Sequence, residues 1–381
     1  MVTGYWQPSE PRLSLLEKLR MLNWGFVLLI VMIGAIGVAL LYSAGGLSWE
    51  PWASRQLIRF IAGMGVMLVL AMIDVRFWLR VAYLGYAVGL VMLVAVEIMG
   101  QVGMGAQRWI DLGVIVIQPS ELMKIALVLA LARYFHTRTT EDIHRPVVLI
   151  PPIVMVTLPV ALVLLQPNLG TAMLLLLGSA ALFFAAGVRL WKFVVVSLVG
   201  LAMLPIGWQF LHDYQKQRVL TFLNPGSDPL GAGYNILQSQ IALGSGGMFG
   251  KGFGLGTQSQ LMFLPEKHTD FIFVVLAEEM GMAGAMLLLA LYAMVLAYGF
   301  VIALSARNQF GRLVAVGLTF AFFLYLFVNV AMVTGLIPVV GIPLPLVSYG
   351  GTAMLTLLIG CGILLSVSVH RDTRIPRRIH D

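Results

Sequence analysis

Charge is scarce in this chain: Asp, Glu, Lys and Arg together make up 11% of 381 residues. A soluble globule carries about a quarter of its residues as charges. With 60% hydrophobic residues and a mean hydropathy of +0.93, the composition is that of a polytopic membrane protein. Cysteine is nearly absent. The single one, Cys361, lies inside the last apolar run, which excludes intrachain disulfides and thiolate zinc clusters and leaves packing as its role. A cleavage signal is also missing. The first apolar run, Trp24 to Tyr42, follows Arg12, Lys18 and Arg20, exceeds a signal-peptide core and ends at no small-x-small site, so it reads as an uncleaved first span. The two halves of the chain show no repeat.

What is present is a series of apolar runs, each near the roughly 20 residues that cross about 30 Å of hydrocarbon. They fall near 24–43, 56–73, 81–99, 119–135, 147–165, 170–187, 191–211, 271–304, 312–334 and 347–369. The expected fold is an all-α polytopic membrane protein of ten transmembrane helices, a single membrane domain over 1–381. One long extracytoplasmic loop, 212–269, separates the seventh and eighth spans. Arg55, Arg59, Arg108, Lys124, Lys216, Arg218, Lys251 and Lys267 fall on one side and the remaining basic residues on the other. The richer side is cytoplasmic, so both termini are expected there. The net charge of +7 is spread over short loops as topology signals, a pattern that argues against a nucleic-acid partner. The eighth helix is too long for the bilayer, reaching roughly 50 Å at about 1.5 Å per residue, and its first turns are expected to project outward. Gly281 and Gly284 mark where it can bend.

The most polar sequence lying directly against an apolar helix is Phe263-Leu-Pro-Glu-Lys-His-Thr-Asp-Phe-Ile-Phe273. Thr269 can cap the run that begins at Phe271, which puts Asp270 in the first helical turn, where the helix dipole favours a carboxylate. Plain helix capping explains both residues equally well. His268 has no neighbouring histidine or cysteine, so it shapes the loop rather than holding a metal. In the glycine-rich stretch 244–256 a phosphate loop would need glycine where Ser245 stands and a hydroxyl where Gly252 stands. Backbone amides beside Lys251 nevertheless offer an anion site, and a flexible turn is the equal alternative. Glu121 and Lys124, spaced by three at a helix start marked by Pro119, form an intrahelical pair worth about 0.3 kcal/mol on a soluble helix. At a membrane such ionisable groups are usually functional. Arg108, Glu121, Lys124, Lys251, Lys267, His268 and Asp270 all fall on the outer side, and no ionisable residue lies near a span's middle. That distribution favours chemistry at the outer surface over ion-coupled transport.

Four segments, Gln118-Pro-Ser-Glu121, Gly250-Lys-Gly252, 263–273 and Pro343-Leu-Pro-Leu-Val-Ser-Tyr-Gly-Gly351, resemble the SEDS family of peptidoglycan polymerases in order and spacing. Met332-Val-Thr-Gly-Leu-Ile-Pro338 and Gly341-Ile-Pro-Leu-Pro345 are similar to its elongation members rather than to the division-type paralogue. Asn168 stands where the family commonly carries aspartate, which removes the ground for an acidic role there. The resemblance implies a glycosyltransferase of the bacterial cytoplasmic membrane that polymerises lipid II into β-1,4 glycan, with Asp270 matching the family's essential aspartate. The departing pyrophosphate needs compensating positive charge, for which Arg108, Lys124 and Lys267 are the candidates. Glu121 would orient Lys124 or hold a divalent cation, Mg or Mn. The resemblance further implies a class B penicillin-binding transpeptidase, membrane lipid and the elongation machinery as partners. A lipid II flippase is the competing activity and needs no catalytic carboxylate.

Overall fold

In the computed structural model, which describes residues 14–103, 106–111, 116–210, 213–224, 232–257 and 266–376, each of the ten predicted runs forms a helix. A short helix α1 (Leu15–Met21) leads into α2 (Trp24–Ala44), α3 (Trp52–Ala71) and α4 (Val75–Met99). Three strands follow, β1 (Gln101–Gly103), β2 (Ala106–Asp111) and β3 (Val116–Ile117), then α5 (Pro119–His136) and the short α6 (Thr140–His144). The chain continues through α7 (Pro146–Leu165), α8 (Leu169–Ala185), α9 (Leu190–Phe210), α10 (Asp213–Leu223) and α11 (Ala232–Ser245). It ends with α12 (Ile272–Ser305), α13 (Gln309–Val333) and α14 (Gly351–Val369). Seven of these, α2, α3, α4, α7, α12, α13 and α14, are long and apolar enough to cross a membrane. The apolar stretches Leu169–Ala185 and Leu190–Met203 are shorter, and α5 carries Glu121, Lys124 and Arg133.

Local chemistry sets the breaks. Asn23, Asp74 and Asn308 accept hydrogen bonds from the first turns of α2, α4 and α13, which satisfies amides that helical geometry leaves unpaired. The break at 166–168 separates two helices: Asn168 Oδ1 accepts from Thr171 N at 3.3 Å and caps α8. The predicted loop between the third and fourth spans instead holds a small antiparallel sheet in the order β1-β2-β3.

The membrane layer is centred on α13 and α14, whose apolar windows are 67% and 72% buried, against 22% for α4. Helix α14 packs on α3, and α12 on α13. Parts of the predicted outer loop, 225–231 and 258–265, together with Gly105, His212 and Phe263 to Pro265, lie outside the described residues. Its described parts include α10 and α11, and α11 packs on α12 and α13.

The expected bend in α12 is a complete interruption at Gly281, with φ +67° and ψ −164°. The glycine-rich segment is spliced into this gap. Lys251 N and Gly252 N donate to Glu278 O and Glu279 O at 3.0 and 2.9 Å, and Met282 N and Ala283 N donate to Gly247 O and Met248 O at 2.9 and 3.0 Å. A Cβ at Gly246 or Gly250 would collide with the Ala277 or Glu279 carbonyl. These glycines therefore serve close main-chain approach, in place of the phosphate loop or flexible turn weighed from sequence.

Candidate active site

Thr269 does not cap α12. The helix starts at Ile272 with Phe271 as an N-cap that makes no side-chain bond. Residues 266–271 instead close a turn on Glu266, whose carbonyl accepts from Thr269 N at 3.2 Å and Phe271 N at 3.3 Å. The Thr269 hydroxyl is turned back to Glu266 Oε2 at 2.9 Å. Asp270 thus precedes the helix, half-buried, on a loop-like turn.

The turn is held by its carbonyls. Tyr349 N donates to His268 O at 2.8 Å, Ser348 Oγ to Thr269 O at 2.5 Å, and Asn329 Nδ2 to Asp270 O at 3.0 Å. All three donors come from α13 or the proline-bearing loop before α14. Gly341, at φ +72°, faces the carboxylate closely enough that a Cβ there would lie 3.4 Å from Asp270 Oδ2. On the other flank the His268 ring stacks on Trp52, centroids 4.5 Å apart. Tyr349 meets Trp52 edge-on at 4.8 Å, and the exposed Arg59 guanidinium lies over Tyr349, 5.0 Å from the ring centre.

One helical turn before Asn329 on α13, Tyr325 joins a second buried group. Lys124 Nζ bonds Glu121 Oε1 at 2.7 Å and the Tyr325 hydroxyl, and that hydroxyl bonds Glu121 Oε2. The ammonium also sits over the tyrosine ring, 4.3 Å from its centre. Positions 325 and 329 share a helix face, so α13 connects this group to the Asp270 turn. Glu121 orients Lys124, as one of the two sequence readings has it. Both of its oxygens are engaged, and among the described residues no three His, Cys, Asp or Glu side chains come together to hold a metal. Among the described residues this group does not fit a protein-bound divalent cation.

The other predicted binding residues are engaged in the scaffold. Arg108 on β2 donates to Gln166 O at 3.3 Å and Pro167 O at 2.6 Å, which ties the sheet to the α7–α8 break. Lys251 pairs with Glu278 at 2.7 Å and reaches Thr257 at 2.8 Å. Lys267 is buried; burial lowers its pKa and the Glu279 carboxylate opposes that shift. His268 is also held below its usual value, by burial and then by the charge of Lys267, against a backbone bond at Ala44 and the charge of Glu266. At neutral pH its ring is uncharged.

A family model described as a cell cycle protein, FtsW/RodA/SpoVE, matches residues 19–373. The chain belongs to this family. The FtsW/RodA/SpoVE relatives include the peptidoglycan glycosyltransferase MrdB of Escherichia coli K12, 48% identical over 321 residues, 83% of this chain and 85% of that one. Stage V sporulation protein E of Bacillus subtilis is 35% identical over 90% of this chain and 95% of its own. Among solved structures, a chain from a peptidoglycan synthase complex that coordinates polymerization and crosslinking superposes with a TM-score of 0.80 at 34% identity, covering 92% of this chain and 98% of that one. The rod shape determining protein RodA of Thermus thermophilus gives 0.70 at 30% identity, covering 93% and 98%.

Within this FtsW/RodA/SpoVE member the structure brings together Asp270, Lys267 and His268 on one turn, and Glu121 with Lys124 beneath it through α13. It bonds Arg108 to the α7–α8 break and pairs Lys251 with Glu278. Sequence reasoning missed Tyr325 and Asn329. Their signal was present: two polar side chains four apart in the apolar run of α13, a pattern that in a membrane segment points to function.

Proposed function

We propose that this chain is an elongation-type peptidoglycan glycosyltransferase that polymerises lipid II at the outer face of the cytoplasmic membrane, with Asp270 as general base. The activity rests on membership of the family and on 48% identity to MrdB. The observation that carries the site is the Asp270 turn, whose carbonyls at 268, 269 and 270 are each held by a donor from another element while its carboxylate faces the bare α-carbon of Gly341.

In the reaction the acceptor sugar's 4-hydroxyl passes its proton to the Asp270 carboxylate as its oxygen bonds the donor's anomeric carbon. The bond from that carbon to the pyrophosphate oxygen breaks, and the lipid pyrophosphate leaves with the bonding pair. Attack opposite the leaving group gives the β-1,4 linkage. A carboxylate fixed within hydrogen-bond reach of the hydroxyl is what general-base catalysis requires. Lys267 belongs to the same turn and Arg59 lies over Tyr349, whose amide holds His268; cations aimed at a leaving pyrophosphate stabilise the charge that develops there. A class B penicillin-binding transpeptidase is the partner we assign, in keeping with the likeness to a chain of a synthase complex.

Purified wild-type protein and Asp270→Asn, each with its transpeptidase, decide the matter on labelled lipid II. Glycan ladders are expected from wild type, with at least a hundredfold loss in the variant, the order of magnitude for a positioned base. Equal ladders from both would remove Asp270 from the chemistry. Lipid II binding without ladders from either protein would favour a flippase.

A further inference from the structure

Asn329 is fully buried in α13, in a layer where an amide without a task is costly. Its Nδ2 donates twice, to Asp270 O at 3.0 Å and to Ile342 O at 2.8 Å. The first carbonyl belongs to the proposed base. The second belongs to the residue after Gly341, whose α-carbon faces the Asp270 carboxylate. One amide therefore fixes both the base and the wall opposite it. The Ser348 hydroxyl ties the same two segments one step away, donating to Thr269 O and accepting from Leu344 N. The holds from Ser348 and Tyr349 act on residues 269 and 268, upstream of the carboxylate. Asn329 Oδ1 has no described partner, so the residue's hydrogen bonding is given wholly to these two carbonyls.

We infer that Asn329 is a positioning residue for catalysis, an amide clamp that sets the gap between the Asp270 carboxylate and the Gly341 wall and thereby the attack geometry of the acceptor hydroxyl. The inference rests on the reading of Asp270 as base. It contacts neither sugar nor pyrophosphate, so its loss slows the chemical step and leaves substrate affinity in place. A leucine at this site keeps nearly the same volume with no donor. A misplacement of about 1 Å in a reacting pair costs on the order of a hundredfold in rate, which sets the scale of the expected effect.

The test is steady-state polymerisation of lipid II by the full-length protein with its transpeptidase, reading kcat and KM separately. Asn329→Leu is expected to lower kcat by about ten- to a hundredfold with KM within about threefold. Asn329→Gln, which restores an amide on a longer stem, should regain part of that loss. In the Asp270→Asn background, Asn329→Leu should take nothing further from the residual rate, because a residue acting only through Asp270 has no effect once the base is gone. Wild-type kcat in Asn329→Leu, a raised KM at unchanged kcat, or the same fold loss in both backgrounds would each overturn the clamp. If Asn329→Leu does not fold, Asn329→Ser keeps one donor in a smaller side chain and should give an intermediate kcat at unchanged KM; full kcat there overturns the proposal. Full activity in Asp270→Asn would sink the base assignment and the clamp with it, whereas a large loss in Asp270→Asn beside wild-type kcat in Asn329→Leu would overturn the clamp alone.

Discussion

Glu121 and Lys124 show how a familiar helical spacing changes meaning with depth. On a soluble helix their separation of three is a minor surface pair; here both side chains are buried and share the Tyr325 hydroxyl. Breaking such a pair leaves an uncompensated charge, which costs about 3–5 kcal/mol, whereas removing both charges is far milder. Lys124→Met should therefore lower the thermal unfolding midpoint in detergent strongly, and Glu121→Gln with Lys124→Met should recover most of it. A double variant no better than the single would mean that the pair is not the stabilising unit. The pairing was legible from residue types and spacing. Tyr325 as its third member was not, because nothing local ties position 325 to 121: the contact exists only once α13 lies against α5.

Among the elements, α12 is the one whose sequence reading was right in outline and incomplete in substance. Excess length and Gly281 announced a bend, but the splice of residues 247–252 into the gap depends on main-chain bonds between segments some thirty residues apart. Gly281 sits in a backbone region almost confined to glycine, where other residues cost of order 1–3 kcal/mol, and a Cβ there would collide with Gly250 N. Gly281→Ala should sharply reduce the yield of monodisperse protein and expose 246–252 to limited proteolysis. Gly65→Ala in α3, where an added Cβ meets nothing within 4 Å, should be neutral; equal behaviour of the two would contradict the splice. The Thr269 cap failed for a related reason: residues 266–271 close a turn on Glu266, and the helix starts only at Ile272, with Phe271 and not Thr269 at the cap position. The seven long apolar helices, by contrast, were readable because lipid demands long apolar segments with internally satisfied backbones.

For the whole molecule, the distribution of basic residues predicts an orientation that puts the Asp270 turn outside. Leu255 is 66% exposed beside the glycine segment, and Arg307 is exposed on the opposite side of the chain's crossings. In a Cys361→Ser background, Leu255→Cys should react with an impermeant maleimide added to intact spheroplasts, and Arg307→Cys only after permeabilisation. The opposite pattern would invert the protein. The interruption at Gly281 also bears on how the molecule meets membranes of different thickness. The part of α12 beyond it, 282–305, reaches about 36 Å at 1.5 Å per residue, enough to cross the hydrocarbon alone, and a span of that kind answers a thicker or thinner bilayer by tilting. The part before it is bonded to the glycine segment and runs directly from the turn that α13 grips. Tilting of the part after the break is therefore expected to answer a change in bilayer thickness while the part before it keeps its place against the glycine segment and α13.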